Sequence, residues 1–219
     1  LCSAARVNGH KMRNGTISNE DRAKLVEKAG ELANAPLYVD DSPTRTVSEI
    51  ASAARRIQRT HNGHLGLIVI DYLQLIEPDN ARDPRQEQVA RIARRLKGLA
   101  RDLKVPVLCL AQLNRQAEGS ADHRPKLSHL RESGAIEQDA DVVMFIHREE
   151  YYRRGEDAEQ FAGLAEIIIA KQRNGPVGEI EVLWQKDFTR FVDKAPERLQ
   201  AFDDFNSGAE SGVAGGDPF

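Results

Sequence analysis

Four short apolar runs in this chain stop at residues able to do chemistry. Leu67 to Ile70 leads into Asp71, Leu108 to Ala111 into Gln112, Val142 to Ile146 into His147, and Ile167 to Ala170 into Lys171, Gln172 and Arg173. In an open parallel sheet, ligands bind beyond the carboxyl ends of the strands, so these are the first positions to consider for a site. Asp71 has the form of a Walker B carboxylate, an acid at a strand tip that holds a Mg²⁺ ion against nucleotide phosphates. Gln112 is a neutral amide with a donor and an acceptor, which suits a hydrogen bond to a terminal phosphate or to an attacking water. Lys171 and Arg173 stand two apart, so on an extended strand both side chains leave one face and can clamp phosphate oxygens together. Each signal alone has a bland reading: a strand-end cap for Asp71 and Gln112, a solvated basic pair for Lys171 and Arg173.

A second constellation follows at Arg131-Glu132-Ser133-Gly134-Ala135-Ile136-Glu137-Gln138-Asp139-Ala140-Asp141. An arginine beside a glycine that frees backbone amides suits contact with a phosphate backbone, and from Ser133 onward the segment reads as a short helix start. The alternative is a salt-bridged connector. Asn114 to Lys126, polar and containing Gly119, Ser120 and Pro125, reads as a mobile loop leaving the strand that carries Gln112.

The elements that position these residues are legible as periodicities. Ser18 with Asp21 opens a helix whose stripe is Leu25, Ala29 and Leu32. Thr46 and Glu49 have capping-box spacing ahead of Val47, Ile50, Ala54 and Ile57, which predicts a helix to about Thr60. The longest stripe, Val89, Ile92, Ala93, Leu96, Leu99 and Leu103, follows Pro84 and stops before Val105 and Pro106. Eight basic residues against three acidic ones lie from Arg82 to Lys104, and because they surround the stripe they read as a solvated face or a subunit contact. The apolar runs do not alternate, which predicts strands buried on both faces of a parallel sheet. Glu179 to Gln185 and Arg190 to Val192 read instead as an antiparallel edge hairpin. The fold class is α/β, a mainly parallel sheet covered by helices.

Composition narrows the rest. A chain of 219 residues with 40% hydrophobic and 30% charged residues is globular, with a net charge of -3. The longest apolar run, Val105 to Ala111, is far shorter than the roughly 18 to 20 residues of a membrane helix, so the chain reads as soluble and unsecreted. Two cysteines, Cys2 and Cys109, are too few for a disulfide framework or a zinc site. From Asp203 to Phe219 the chain has four acids, four glycines and no Lys or Arg, and disorder is expected there. The expected division is a domain over residues 1–195 and an acidic tail over 196–219.

Together these blocks resemble the C-terminal ATPase domain of DnaB-type replicative DNA helicases. The resemblance rests on Leu67-Ile68-Val69-Ile70-Asp71-Tyr72-Leu73-Gln74-Leu75, Pro106 to Arg115, the Arg131 to Asp141 segment, and Ala170-Lys171-Gln172-Arg173-Asn174-Gly175-Pro176-Val177-Gly178, four blocks in family order. It implies a RecA-like P-loop NTPase core and a homohexameric ring. The implied activity is ATP hydrolysis driving 5′ to 3′ translocation on single-stranded DNA and duplex unwinding, in the bacterial cytoplasm at the replisome. Carried over, it makes Asp71 the Mg²⁺-directed acid, Gln112 the γ-phosphate sensor, and Lys171 and Arg173 the pair inserted into the neighbouring subunit's nucleotide site. All four thereby become catalytic and ATP-binding residues. Arg131, Glu132 and Gly134 match the segment that holds single-stranded DNA, and primase and a helicase loader are implied partners. No Gly-x-x-x-x-Gly-Lys-Ser/Thr occurs in the chain, and the family's catalytic glutamate is also missing. The chain is therefore expected to be a piece of a longer helicase, inactive alone and poorly stable with its parallel sheet left open. The competing readings are a non-catalytic RecA-fold ring or single-strand-binding module, and a RecA-type recombinase relative. The Arg131 and Lys171 blocks argue against the latter.

Overall fold

The computed structural model describes residues 1–114, 123–130 and 134–194. The chain opens with α1 (Cys2–Ala5), α2 (Gly9–Arg13) and α3 (Asn19–Ala33). Asn8 caps α2 by accepting from the backbone N–H groups of His10 and Lys11, and Ser18 and Asp21 form a capping box on α3. These helices enclose a small apolar cluster of Ala5, Val7 and Leu25. Asn8 and Gly9 then fasten the start of the chain to the far end of the fold. The Gly9 N–H donates to the Asp187 carbonyl at 3.0 Å, and Asn8 Nδ2 donates to Asp187 Oδ1 at 3.1 Å.

A parallel layer follows, built from β1 (Arg45–Thr46), α4 (Val47–Thr60), β2 (Ile68–Ile70), β3 (Ile76–Glu77), α5 (Arg85–Leu103) and β4 (Val107–Cys109). The Thr46–Glu49 capping box forms as its spacing predicts, and Lys104, in the left-handed region with φ 55°, closes α5. β2 pairs with β4 in parallel, Ile70 opposite Cys109, and β1 pairs with β3. The main core lies where α4 and α5 cover one side of these strands. Val47, Ala51, Ala54, Val89, Ile92, Leu96, Leu99 and Leu103 pack with Leu73 and Ile76, against half-buried Ile68, Ile70 and Cys109.

After α6 (Gly134–Asp139) come β5 (Val142–His147), α7 (Glu156–Gln160), β6 (Leu164–Gln172), β7 (Gly178–Gln185) and β8 (Arg190–Asp193). β5 to β8 form one antiparallel sheet in sequence order. The α/β class and the β7–β8 hairpin follow the sequence expectation, while the antiparallel portion extends to four strands because β5 and β6 also pair antiparallel. The expectation of strands buried on both faces is corrected. Val143 and Phe145 face a second core with Leu130, whereas Met144 and Ile146 are 51% and 59% exposed, and Val69 and Leu108 are likewise open. α4 and α5 thus cover one face of β2 and β4, Leu113, Leu127 and Leu130 pack on one face of β5, and the opposite faces carry these exposed residues. The predicted acidic tail, from residue 196, lies outside the described residues.

Candidate functional site

Asp71 and Gln112 come from adjacent strands of the parallel layer. The Leu110 N–H donates to the Ile70 carbonyl at 3.0 Å and the Leu73 N–H donates to the Leu110 carbonyl at 2.9 Å, so the two strand tips are tied on both sides of Asp71. Both candidate residues are exposed. A third residue, three positions after Asp71, braces Gln112: the Gln112 backbone N–H donates to Gln74 Oε1 at 3.4 Å, and the Gln74 carbonyl accepts from Arg85 Nη2 at 3.3 Å. Gln74 was not singled out by the sequence reading, although a polar residue between Leu73 and Leu75 in a short helical turn is a visible signal.

Among the described residues the Asp71 carboxylate has no hydrogen-bonding or ionic partner, and no group of three or more His, Cys, Asp or Glu is arranged to hold a metal alone. A single free carboxylate fits Mg²⁺, which keeps several waters and takes its remaining ligands from phosphate oxygens. It does not fit a self-sufficient protein metal cage.

Lys171 and Arg173 leave the end of β6 side by side, as their spacing predicts. Lys171 Nζ donates to the carbonyls of Glu137 and Gln138, the latter at 3.2 Å, and Arg173 Nη2 donates to the same Gln138 carbonyl at 3.2 Å. These carbonyls belong to the last turn of α6, where helix acceptors have no partner within the helix. Arg173 also meets Asp141, whose carboxylate receives Lys97 from α5. The Lys97 hydrogen bond is the main reason that the Asp141 carboxyl is held below the usual range, with Arg173 and Lys171 adding to it and burial opposing it.

Of the DNA-directed candidates, Gly134 opens α6, while Arg131 and Glu132 lie outside the described residues. The backbone returns to the strand tips nearby, where the Asn114 N–H donates to the His129 carbonyl at 2.9 Å. Residues 115–122 of the predicted loop are likewise outside the description. His147, the fourth strand-end residue, is 3% exposed and bonded to Glu149 at 2.9 Å, with its ring stacked on Tyr152. Those contacts make it a structural histidine. The basic charges of α5 also find partners: Arg91 with Asp83, Arg94 with Asp139, Arg95 with Asp79 and Lys97 with Asp141. Four of the eight basic residues expected on a solvated face or a subunit contact are thus ion-paired within the chain.

The family model described as DnaB-like helicase C terminal domain matches residues 1–193. The chain belongs to this family. Similar relatives include the replicative DNA helicase DnaB of Geobacillus stearothermophilus, 46% identical over 194 residues, and the replicative DNA helicase DnaC of Bacillus subtilis, 44% identical over 194 residues. Each alignment covers 88% of this chain and 42% of the relative, so the chain spans less than half the length of either protein. A solved DnaB-like replicative helicase, described with its interactions with primase, superposes with a TM-score of 0.83 at 39% identity, covering 89% of this chain and 46% of that one. A solved ATPase domain matches with a TM-score of 0.82 at 39% identity, covering 89% and 68%. The layers described above are thus those of the RecA-like ATPase domain of DnaB-like helicases. No helix among the described residues is long and apolar enough to cross a membrane.

Proposed function

We propose that this DnaB-like domain is the part of a hexameric replicative helicase that senses bound ATP, grips single-stranded DNA and acts on the next subunit's nucleotide. The ring couples ATP hydrolysis to 5′ to 3′ translocation and duplex unwinding. The observation that carries this reading is the joined pair of strand tips, with Asp71 free on one, Gln112 on the other and Gln74 bonded across. A carboxylate and an amide held at neighbouring carboxyl ends of a parallel layer suit the metal side and the terminal-phosphate side of one nucleotide.

Asp71 would hold Mg²⁺, which supplies charge neutralisation on the phosphates when it binds with ATP. Gln112 donates from its amide NH2 to the terminal phosphate, or accepts at its amide oxygen from the attacking water, and so reports whether that phosphate is present. Lys171 and Arg173 supply positive charge across a subunit boundary, where an arginine stabilises charge on the transferring phosphoryl group. Arg131, Glu132 and Gly134 hold the DNA strand, with primase and a loader as further partners of the ring in the bacterial cytoplasm.

The test is Arg173→Ala in a full-length version of the chain. ATP turnover is expected to fall by roughly 10³-fold or more, the range for removal of an arginine finger, with nucleotide binding largely intact. Unchanged turnover removes the assignment.

A further inference from the structure

We propose that Asp141 is a positioning residue for Arg173, and that Lys97 on the core helix α5 moors it. The proposal rests on the reading of Arg173 as the residue that acts on a neighbouring subunit's nucleotide. It names what holds that side chain ready.

Asp141 meets Arg173 twice. Its backbone carbonyl accepts from the Arg173 N–H at 2.8 Å, which fixes where the arginine leaves the strand. Its carboxylate Oδ1 lies 3.4 Å from Arg173 Nη1, which selects where the guanidinium points. The next residue, Val142, pairs with Gln172, so the contact continues the β5–β6 register. The other carboxylate oxygen, Oδ2, accepts from Lys97 Nζ. Lys97 lies on the flank of α5, which buries Val89, Ile92, Leu96 and Leu99 in the main core, so the mooring point belongs to a packed helix. One helical turn earlier, Arg94 meets Asp139 at 3.9 Å, and α5 thereby holds the end of α6 as well. The Gln138 carbonyl of α6 accepts from both Lys171 and Arg173, which aligns the two cations side by side.

A long arginine side chain samples many rotamers, and fixing it beforehand raises the fraction of encounters in which it reaches the transferring phosphoryl group. An ionised carboxylate does this without deprotonating its partner, because arginine stays charged. The Lys97 hydrogen bond and the two nearby cations favour the ionised form of Asp141.

The experiment compares Asp141→Asn, Lys97→Met and Arg173→Ala in the full-length ring, measuring ATP turnover, KM for ATP and the thermal midpoint. Asp141→Asn keeps the backbone carbonyl and the shape and removes the charge. It is expected to lower kcat by about tenfold with KM for ATP within about twofold, since the lost alignment acts in the transition state. Lys97→Met leaves the carboxylate in place and frees it from α5, so a smaller fall of about threefold is expected there. That variant carries the test by itself if Asp141→Asn does not assemble. Unchanged kcat in both variants, or a loss of turnover matched by a rise in KM and a fall in thermal midpoint, overturns the proposal. If Arg173→Ala itself leaves turnover unchanged, the underlying reading of Arg173 has failed. If Arg173→Ala silences turnover while the other two variants do not alter it, only the positioning role of Asp141 falls.

Discussion

Cys109 lies on β4 one residue before Leu110, with its side chain against the α4–α5 core, and burial pushes its thiol up to about 11. At pH 8 the thiolate fraction of such a group is about one in a thousand, and the thiolate is the reactive form. In a native-state alkylation experiment Cys109 is therefore expected to stay unmodified at pH 8 and to react only after denaturation. Rapid labelling in the native chain would contradict its burial. Arg131 belongs to the same scale. If it neutralises one phosphate of a single strand, Arg131→Ala weakens DNA binding and reduces the slope of log K against log salt by about 0.7. A binding titration over several salt concentrations reads that slope, and an unaltered value removes Arg131 from the DNA contact. The partners of Gln74 and of Asp141 are not legible in the sequence. Gln74 takes its meaning from Gln112, 38 residues away, and Asp141 from Lys97, 44 residues away, and such partnerships exist only once the fold brings the elements together.

Among the elements, α5 does most to organise the domain. It buries five apolar residues against α4 and the strands, and its charged flanks reach Asp79, Asp83, Asp139 and Asp141. Leu96, 5% exposed, packs in the main core, so Leu96→Ala is expected to cost about 2 to 5 kcal/mol and to lower the thermal midpoint by roughly 10 °C. Helical circular dichroism during heating measures it, and a shift of a degree or less would mean the site collapses around the smaller side chain. This helix was readable beforehand because a 3.6-residue stripe, an entering Pro84 and a stop before Pro106 are all local signals. The Thr46–Glu49 capping box was readable for the same reason. The pairing of β5 with β6 was not. An apolar run such as Ile167 to Ile169 has the same composition in a parallel or an antiparallel sheet, and the direction of its neighbour is set by how the chain travels between them.

At the scale of the molecule, the exposed face of β5 has a measurable consequence. Met144 and Ile146 project from β5 into solvent while Val143 and Phe145 between and before them are buried. Exposed apolar surface of this kind binds hydrophobic dyes and promotes association. The double substitution Met144→Gln and Ile146→Thr is expected to lower dye binding and self-association, read by fluorescence and light scattering, with little change in thermal midpoint. Unchanged scattering would place the adhesive surface elsewhere. The switch from apolar to polar, a local signal, places Asp71 directly after β2 and Arg173 directly after β6, whereas His147 and Lys171 fall within their strands and Gln112 three residues beyond β4. The sequence did not reveal the bare face, because the same Val and Met residues serve equally well against a helix or in the open.

The fastening of Asn8 and Gly9 to Asp187 bears on how this domain carries force. Tension applied at Leu1 and Asp193 would run along α1, across the two hydrogen bonds at Asp187 and out through β8. The load thereby bypasses α4, α5 and the β2–β4 pair. Under such a load the two hydrogen bonds at Asp187 bear the tension ahead of the strand layer carrying Asp71 and Gln112, whose own ladder lies outside that path.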